Sequence, residues 1–294
     1  MTSTDASETR FTLPAADGHA IECYAWPLPA AFAAPRGVVQ LVHGMSEHIR
    51  RYRHVALALA EQGYAVYGSE HRGHGQSAFD AGTAGDFGPR GFAALVDDMA
   101  AVTRALRARH PGLPVAMVAH SMGSMAAQVY LIEHSALLDA LALSGTAALE
   151  MLDVRTSGWT PETANASTGP HPATPADWLS RDPAVPAAFI ADPLCGTPLM
   201  LPSLFSIFDE GNRTADTALY ANVRKDLPLY FCTGDHDPVN ANLAWFDPLV
   251  QRLRAAGFAD VSTHVYGGAR HEVFNETNRD EVIAHLAAWL RRVA

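Results

Sequence analysis

The 294-residue sequence predicts an α/β fold: a largely parallel sheet covered by helices on both faces and interrupted by an insertion. Three observations predict it. Short apolar runs of strand length alternate with longer stretches of helical spacing. The inner runs are apolar throughout, as expected of strands buried on two faces rather than one. Between residues 151 and 215 the alternation stops, and nine of the chain's 19 prolines fall there.

The elements follow in order. Residues 11–29 hold two short extended stretches around the Asp17-Gly18 turn, which predicts an antiparallel hairpin. Residues 38–42 form an apolar strand ending at His43-Gly44, and 52–62 carry helical spacing that stops at Gly63. A strand over 64–67 runs into the Arg72-Gly73-His74-Gly75 loop. Residues 91–110 place Phe92, Leu95, Met99, Val102 and Leu106 on one helical face. A strand at 115–118 precedes Ser121 and a small-residue helix to about 134, and 141–143 is the next strand. Alternation resumes with a strand at 229–233, a helix at 241–256, a strand at 261–266 and a last helix at 278–292. The predicted organisation is core at 1–149, a cap of short helices at 150–215, and core again at 216–294. Trp159, Trp178, Phe189, Leu199, Leu201, Phe205 and Phe208 are too much large apolar surface for a solvated linker.

Composition narrows the function. A formal charge of −10 argues against a nucleic-acid partner, which favours a basic face. Cys23, Cys195 and Cys232 are scattered, so neither a disulfide framework nor a thiolate metal centre is expected. The polar first eight residues lack a signal-peptide core and no apolar run reaches membrane-spanning length, so a soluble cytoplasmic protein is expected.

The chemistry concentrates in four loops. Ala119-His120-Ser121-Met122-Gly123 lies between a strand and a helix, where a sharp turn lifts a serine hydroxyl above the sheet edge. A serine needs a base, and His271, after the strand ending near 266, sits in the loop from which a base reaches it. The imidazole needs an acceptor on its other nitrogen. Asp237 and Asp235 both follow the strand at 229–233, with Asp237 favoured. Chain order is then Ser, Asp, His. Two backbone donors are expected for an oxyanion: the N–H of Met122, at a helix N-terminus, and the N–H of Met45. His71 with His74, and His43 with His48, lack a third metal ligand at suitable spacing. They are read as loop histidines bonding the backbone around the site. No phosphate loop or G-x-G-x-x-G is present, so no cofactor is expected.

Taken together, His43-Gly44-x-x-Glu47-His48, Arg72-Gly73-His74-Gly75-x-Ser77, His120-Ser121-Met122-Gly123, Gly234-x-x-Asp237-Pro238 and Ala269-Arg270-His271-Glu272 resemble the monoacylglycerol lipase and lysophospholipase branch of α/β-hydrolases, grouped with serine aminopeptidase-like hydrolases. They run in family order from about 40 to 276. The resemblance implies the α/β-hydrolase fold and selects Asp237, three residues after the glycine, over Asp235. Trp178-Leu179-Ser180-Arg181-Asp182 and Asp192-Pro193-Leu194-Cys195-Gly196 look similar to the cap of bacterial lysophospholipase-like members. Two positions depart from the pattern: Ala119 replaces a glycine, and Glu70 stands where an aspartate commonly precedes the Arg-Gly-His-Gly loop.

The reading is a serine ester hydrolase that passes through an acyl-enzyme, with a small-molecule ester or lipid-derived substrate. A thioesterase or an aminopeptidase-like amide hydrolase is the alternative. For the latter, Asp177, Asp182, Asp192, Asp209 and Glu210 offer acidic groups for a substrate amine, although helix capping explains such residues equally. A non-catalytic binding protein on the same fold is the reading from a different class.

Overall fold

The computed structural model describes residues 8–294; residues 1–7, which hold most of the polar N-terminal stretch, lie outside the described residues. Eight strands form one sheet in the order β1-β2-β4-β3-β5-β6-β7-β8. β1 (Thr9–Pro14) and β2 (Ala20–Trp26) are the predicted hairpin, antiparallel with Pro14 opposite Ala20. Between them Gly18, at φ +85°, closes the turn with its N–H on the Ala15 carbonyl. β2 pairs antiparallel with β4 (Tyr64–Ser69). From β4 onward all pairings are parallel, through β3 (Gly37–Val42), β5 (Val115–His120), β6 (Ala140–Ser144), β7 (Leu229–Gly234) and β8 (Val261–Tyr266).

Side-chain alternation divides the core into two layers. Val38 and Val42, Val115 and Met117, Leu141 and Leu143, and Leu229 and Phe231 point to one face. There they meet α3 (Gly91–Arg109), α4 (Met122–His134), α8 (Leu201–Gly211) and α9 (Asp247–Ala255), through residues such as Phe92, Tyr130, Phe208 and Leu249. Val39 and Leu41, Ala116 and Val118, and Tyr230 and Cys232 point to the other. They meet α1 (Arg53–Ala60) and α10 (Arg279–Val293), through Leu59, Leu286 and Leu290. A one-residue slip in any inner strand would exchange these sets, so packing on both faces pins the register.

Three details differ from expectation. A short helix, α2 (Gly75–Asp80), follows the Arg72–Gly75 loop where none was predicted. The helix expected over 241–256 begins only at Asp247. Ala241, Asn242 and Leu243 all have positive φ, which no α-helix accommodates, so the apolar spacing there belongs to a tight loop. Between β6 and β7 the chain forms α5 (Leu149–Leu152), α6 (Pro161–Ala166), α7 (Ala184–Ala191) and α8, joined by 3₁₀ turns. Phe208 is buried as its apolar character requires, but Leu201 and Phe205 stay exposed, at 64% and 37%. No helix among the described residues is long and apolar enough to cross a membrane.

Candidate active site

Four loops gather at the carboxyl ends of β3, β5, β7 and β8. This is where an open parallel sheet leaves a crevice, because the chain leaves β3 to one side and β5 to the other. Ser121 ends β5 and begins α4 with φ +50° and ψ −124°, a conformation a side chain rarely adopts. Its N–H donates to the Ser144 carbonyl at 2.9 Å, and its carbonyl accepts from Met125 N–H and the Ser124 hydroxyl. Gly123 is required by close approach: a Cβ there would stand 2.4 Å from the His43 carbonyl oxygen. The Ala119 methyl, by contrast, is fully buried and accommodated in β5.

His271 Nε2 lies 2.8 Å from Ser121 Oγ, and His271 Nδ1 lies 3.0 and 3.1 Å from the two oxygens of Asp237. A proton on Nδ1 toward the carboxylate leaves the Nε2 lone pair facing the serine hydroxyl. His271 and Asp237 are 2% and 0% exposed, so the pair is dry on the carboxylate side. Burial alone lowers the imidazole's proton affinity. The neighbouring carboxylate and its hydrogen bond outweigh that, and His271 titrates above its ordinary value. Asp237 is itself fixed: Oδ1 accepts Val239 N–H at 2.9 Å and Oδ2 accepts the Asn240 amide at 3.2 Å. Asp235 faces elsewhere, accepting Gly268 N–H and pairing with the exposed His236. It braces the two loops that carry Asp237 and His271.

The two expected backbone donors border the same spot. Met122 is the first residue of α4, whose opening N–H groups have no acceptor within the helix. Met45 follows Gly44, where an added Cβ would stand 3.0 Å from Ser121 Cβ, so this backbone passes directly against the serine.

A buried charge network was not foreseen from the sequence. Arg51 makes a two-pronged pair with Glu272, at 2.7 and 2.8 Å, and also pairs with Glu47. Glu47 accepts the Gly44 N–H at 2.5 Å and the Tyr52 hydroxyl at 2.7 Å. The network therefore joins the Gly44–Met45 backbone to the residue next to His271. The signal was present in Glu47 and Arg51, an opposite-charge pair spaced four apart.

Three of the four loop histidines bond the backbone as expected, whereas His48 does not: its Nε2 meets the Asp192 carboxylate at 2.9 Å, because the fold brings that side chain against it. His43 Nδ1 meets the Gly44 carbonyl, His71 Nε2 the His43 carbonyl, and His74 Nδ1 the Arg72 carbonyl, while His74 Nε2 accepts Ser46 N–H at 3.1 Å. Burial drives His43 down to about 4 and His74 to about 3, so both stay neutral and hold these loops as fixed tautomers. A cleft of about 380 Å³ lies behind this loop, bounded by Glu22, Glu70 and Arg72, but Ser121 does not line it.

From the segment between β6 and β7, Trp178 packs its ring 5.2 Å from that of His271. The Trp178 and Leu179 carbonyls accept the N–H groups of His271 and Glu272. Arg270 donates to the Asp177 and Ser180 carbonyls, and Arg181 pairs with Glu276. The His271 loop is thus held from both sides.

Sheet order, strand-end loops and this grouping of side chains define an α/β-hydrolase. The match to the family described as Serine aminopeptidase, S33 spans residues 33–278, and the chain belongs to that family. It is 32% identical to a monoacylglycerol lipase of Mycolicibacterium smegmatis over 264 residues, covering 87% of this chain and 88% of that protein. Among solved structures it is similar to a thermostable carboxyl esterase from Bacillus coagulans in complex with glycerol, with TM-score 0.86 and 29% identity, covering 98% and 99% of the two chains. A monoglyceride lipase variant from Saccharomyces cerevisiae shares the fold, with TM-score 0.76 and 19% identity over 100% of this chain and 98% of that one. Within its family the chain is therefore a monoacylglycerol lipase- and esterase-like α/β-hydrolase.

Proposed function

We propose that the chain cleaves carboxylic esters, with a monoacylglycerol- or lysophospholipid-like ester as substrate, by a Ser121-His271-Asp237 triad. The observation that carries this reading is the continuous 2.8 Å and 3.0 Å relay from Ser121 Oγ through His271 to Asp237.

Ser121 attacks the ester carbonyl while His271 Nε2 takes its proton. Asp237 holds the ring and offsets the charge of the imidazolium that forms. The N–H groups of Met45 and Met122 receive the developing oxyanion in a site already oriented for it. His271 then protonates the departing alcohol. Water, deprotonated by the same imidazole, cleaves the acyl-enzyme and releases the acid. Glu47 supports the step indirectly by fixing the Gly44 N–H, and with it the peptide that presents Met45.

Residues 150–215 serve in this reading as a cap that selects the substrate, between core parts 1–149 and 216–294. Ester rather than amide cleavage is favoured by the lipase and esterase relatives and by the apolar Trp178 beside His271, with Trp159 packed on Trp178. The acidic candidates for binding a substrate amine are engaged elsewhere: Asp177 caps the Ala173–Thr174 backbone, Asp182 meets Ala184 N–H, and Asp209 pairs with Arg155. A rate comparison across p-nitrophenyl esters of rising chain length, a monoacylglycerol, a lysophospholipid, an acyl thioester and aminoacyl anilides tests the assignment. The expected order places the esters first; an aminoacyl anilide turned over faster than any ester would reverse it.

A further inference from the structure

We infer that His48, Asp192 and Cys195 form a binding site for a thiophilic divalent cation, Zn²⁺ in the first instance, which bridges the loop after β3 to the turn after α7. In sequence His48 had no third metal ligand near it; the fold supplies two from about 145 residues away. One ligand atom from each residue lies within 4.8 Å of the other two. Around a tetrahedral zinc ion, bond lengths of about 2.0–2.3 Å put ligand atoms about 3.5 Å apart, so a shift of roughly an ångström completes the geometry.

The site is built rather than accidental in three respects. Asp192 and Cys195 end one tight turn, closed by Cys195 N–H on the Asp192 carbonyl. Two ligands separated by two residues on a turn is the spacing that zinc sites use. Asp192 Oδ1 accepts Leu194 N–H at 2.9 Å, which leaves Oδ2 aimed at His48 Nε2, 2.9 Å away. A carboxylate oriented by a hydrogen bond on its second oxygen is what a metal ligand requires. The turn is also docked on the His48 loop by Gly196 N–H to the Ser46 carbonyl, at 2.8 Å, and by the Ser46 hydroxyl to the Thr197 carbonyl, at 2.7 Å.

The His48 ring is 9% exposed and its Nδ1 is buried without a partner, so that nitrogen is open to take the proton that Nε2 gives up on binding the metal. Imidazole, carboxylate and thiolate together suit zinc better than magnesium or calcium, and water fills the fourth position. On binding, metal–nitrogen, metal–oxygen and metal–sulfur bonds form. The Cys195 S–H bond breaks and its proton leaves to solvent, while the proton on His48 Nε2 moves to Nδ1. Cys23 and Cys232 are fully buried outside this cluster and serve as internal controls.

The test uses the whole protein with Co²⁺ as a spectroscopic probe and Zn²⁺ as competitor, so it is independent of any esterase assay. A thiolate-to-cobalt absorption band is expected in the wild type, displaced by Zn²⁺ and unaffected by Mg²⁺. Cys195→Ser should abolish the band, and His48→Gln or Asp192→Asn should weaken binding by about tenfold or more. Circular dichroism of each variant separates lost ligation from lost folding, and any one folded variant suffices. Folded wild type without a band at millimolar Co²⁺, or a band that persists in folded Cys195→Ser, overturns the proposal.

Discussion

Asp237 meets His271 with both carboxylate oxygens near one ring nitrogen, at 3.0 and 3.1 Å, in a place neither residue shares with solvent. The carboxylate has its own donors in Val239 N–H and the Asn240 amide, so its position does not depend on the histidine. This relationship sets both the tautomer and the proton affinity of the group facing Ser121.

Asp237→Asn keeps the shape but offers Nδ1 an amide in place of a full negative charge. The ester turnover number should fall by about 10⁴-fold. With His271 as the proposed base, the acid limb of kcat/KM should follow this residue, because only a neutral imidazole can take the serine proton. Asp237 raises that titration against the opposing effect of burial. The residual activity of the variant should therefore show its acid limb at lower pH than the wild type. An acid limb that stays in place would assign it to another group.

Ser121 holds a backbone conformation that costs of order 1–3 kcal/mol for a residue with a side chain. Ser121→Gly should lose esterase activity yet gain about that much stability in urea unfolding. Ser121→Ala, which keeps a Cβ, should lose the activity without the gain. Equal stabilities for the two variants would contradict strain at this turn.

Arg51 sits between Glu47 and Glu272, whose side chains are only 2% and 4% exposed. Arg51→Ala strands two buried carboxylates and should destabilise the fold by about 3–5 kcal/mol. Arg51→Lys retains the charge but not the two-pronged geometry, and should lie between that variant and the wild type. Chemical denaturation measures both.

Burial raises the Glu70 carboxyl from 4.5 to about 8. The native state thus keeps this proton at pH values where the unfolded chain has lost it. Its contribution to stability is whole below pH 4.5 and disappears as the pH climbs through about 8. Glu70→Gln cannot ionise and still offers Ile49 N–H an acceptor, so its stability should decline less over that window. Unfolding free energies at pH 5 and pH 8 for the two proteins test this.

The sheet was legible because its inner strands are short apolar runs; Ser121 follows β5 directly, Asp237 lies in the loop just after β7, and His271 lies in the loop after the edge strand β8. Gly44 and Gly123 carried further information, since only a missing Cβ lets their loops touch the serine turn. The segment between β6 and β7 was legible only as composition. Its helices are short, and the docking of Trp178 and Leu179 on the His271 loop uses backbone carbonyls, which leave no trace in residue type. The late start of α9 follows from left-handed residues at 241–243, two of them alanine and leucine, which nothing local marks out. The Arg51–Glu272 pair spans 221 positions, so only the fold could reveal it.

The central claim is that Ser121 is the nucleophile. Labelling with a fluorophosphonate, followed by peptide mass spectrometry, tests it most directly. One adduct per chain, on Ser121 and absent from a folded Ser121→Ala variant, is the result predicted. Folded wild-type protein that stays unlabelled, or that carries its adduct on another residue, would contradict the account.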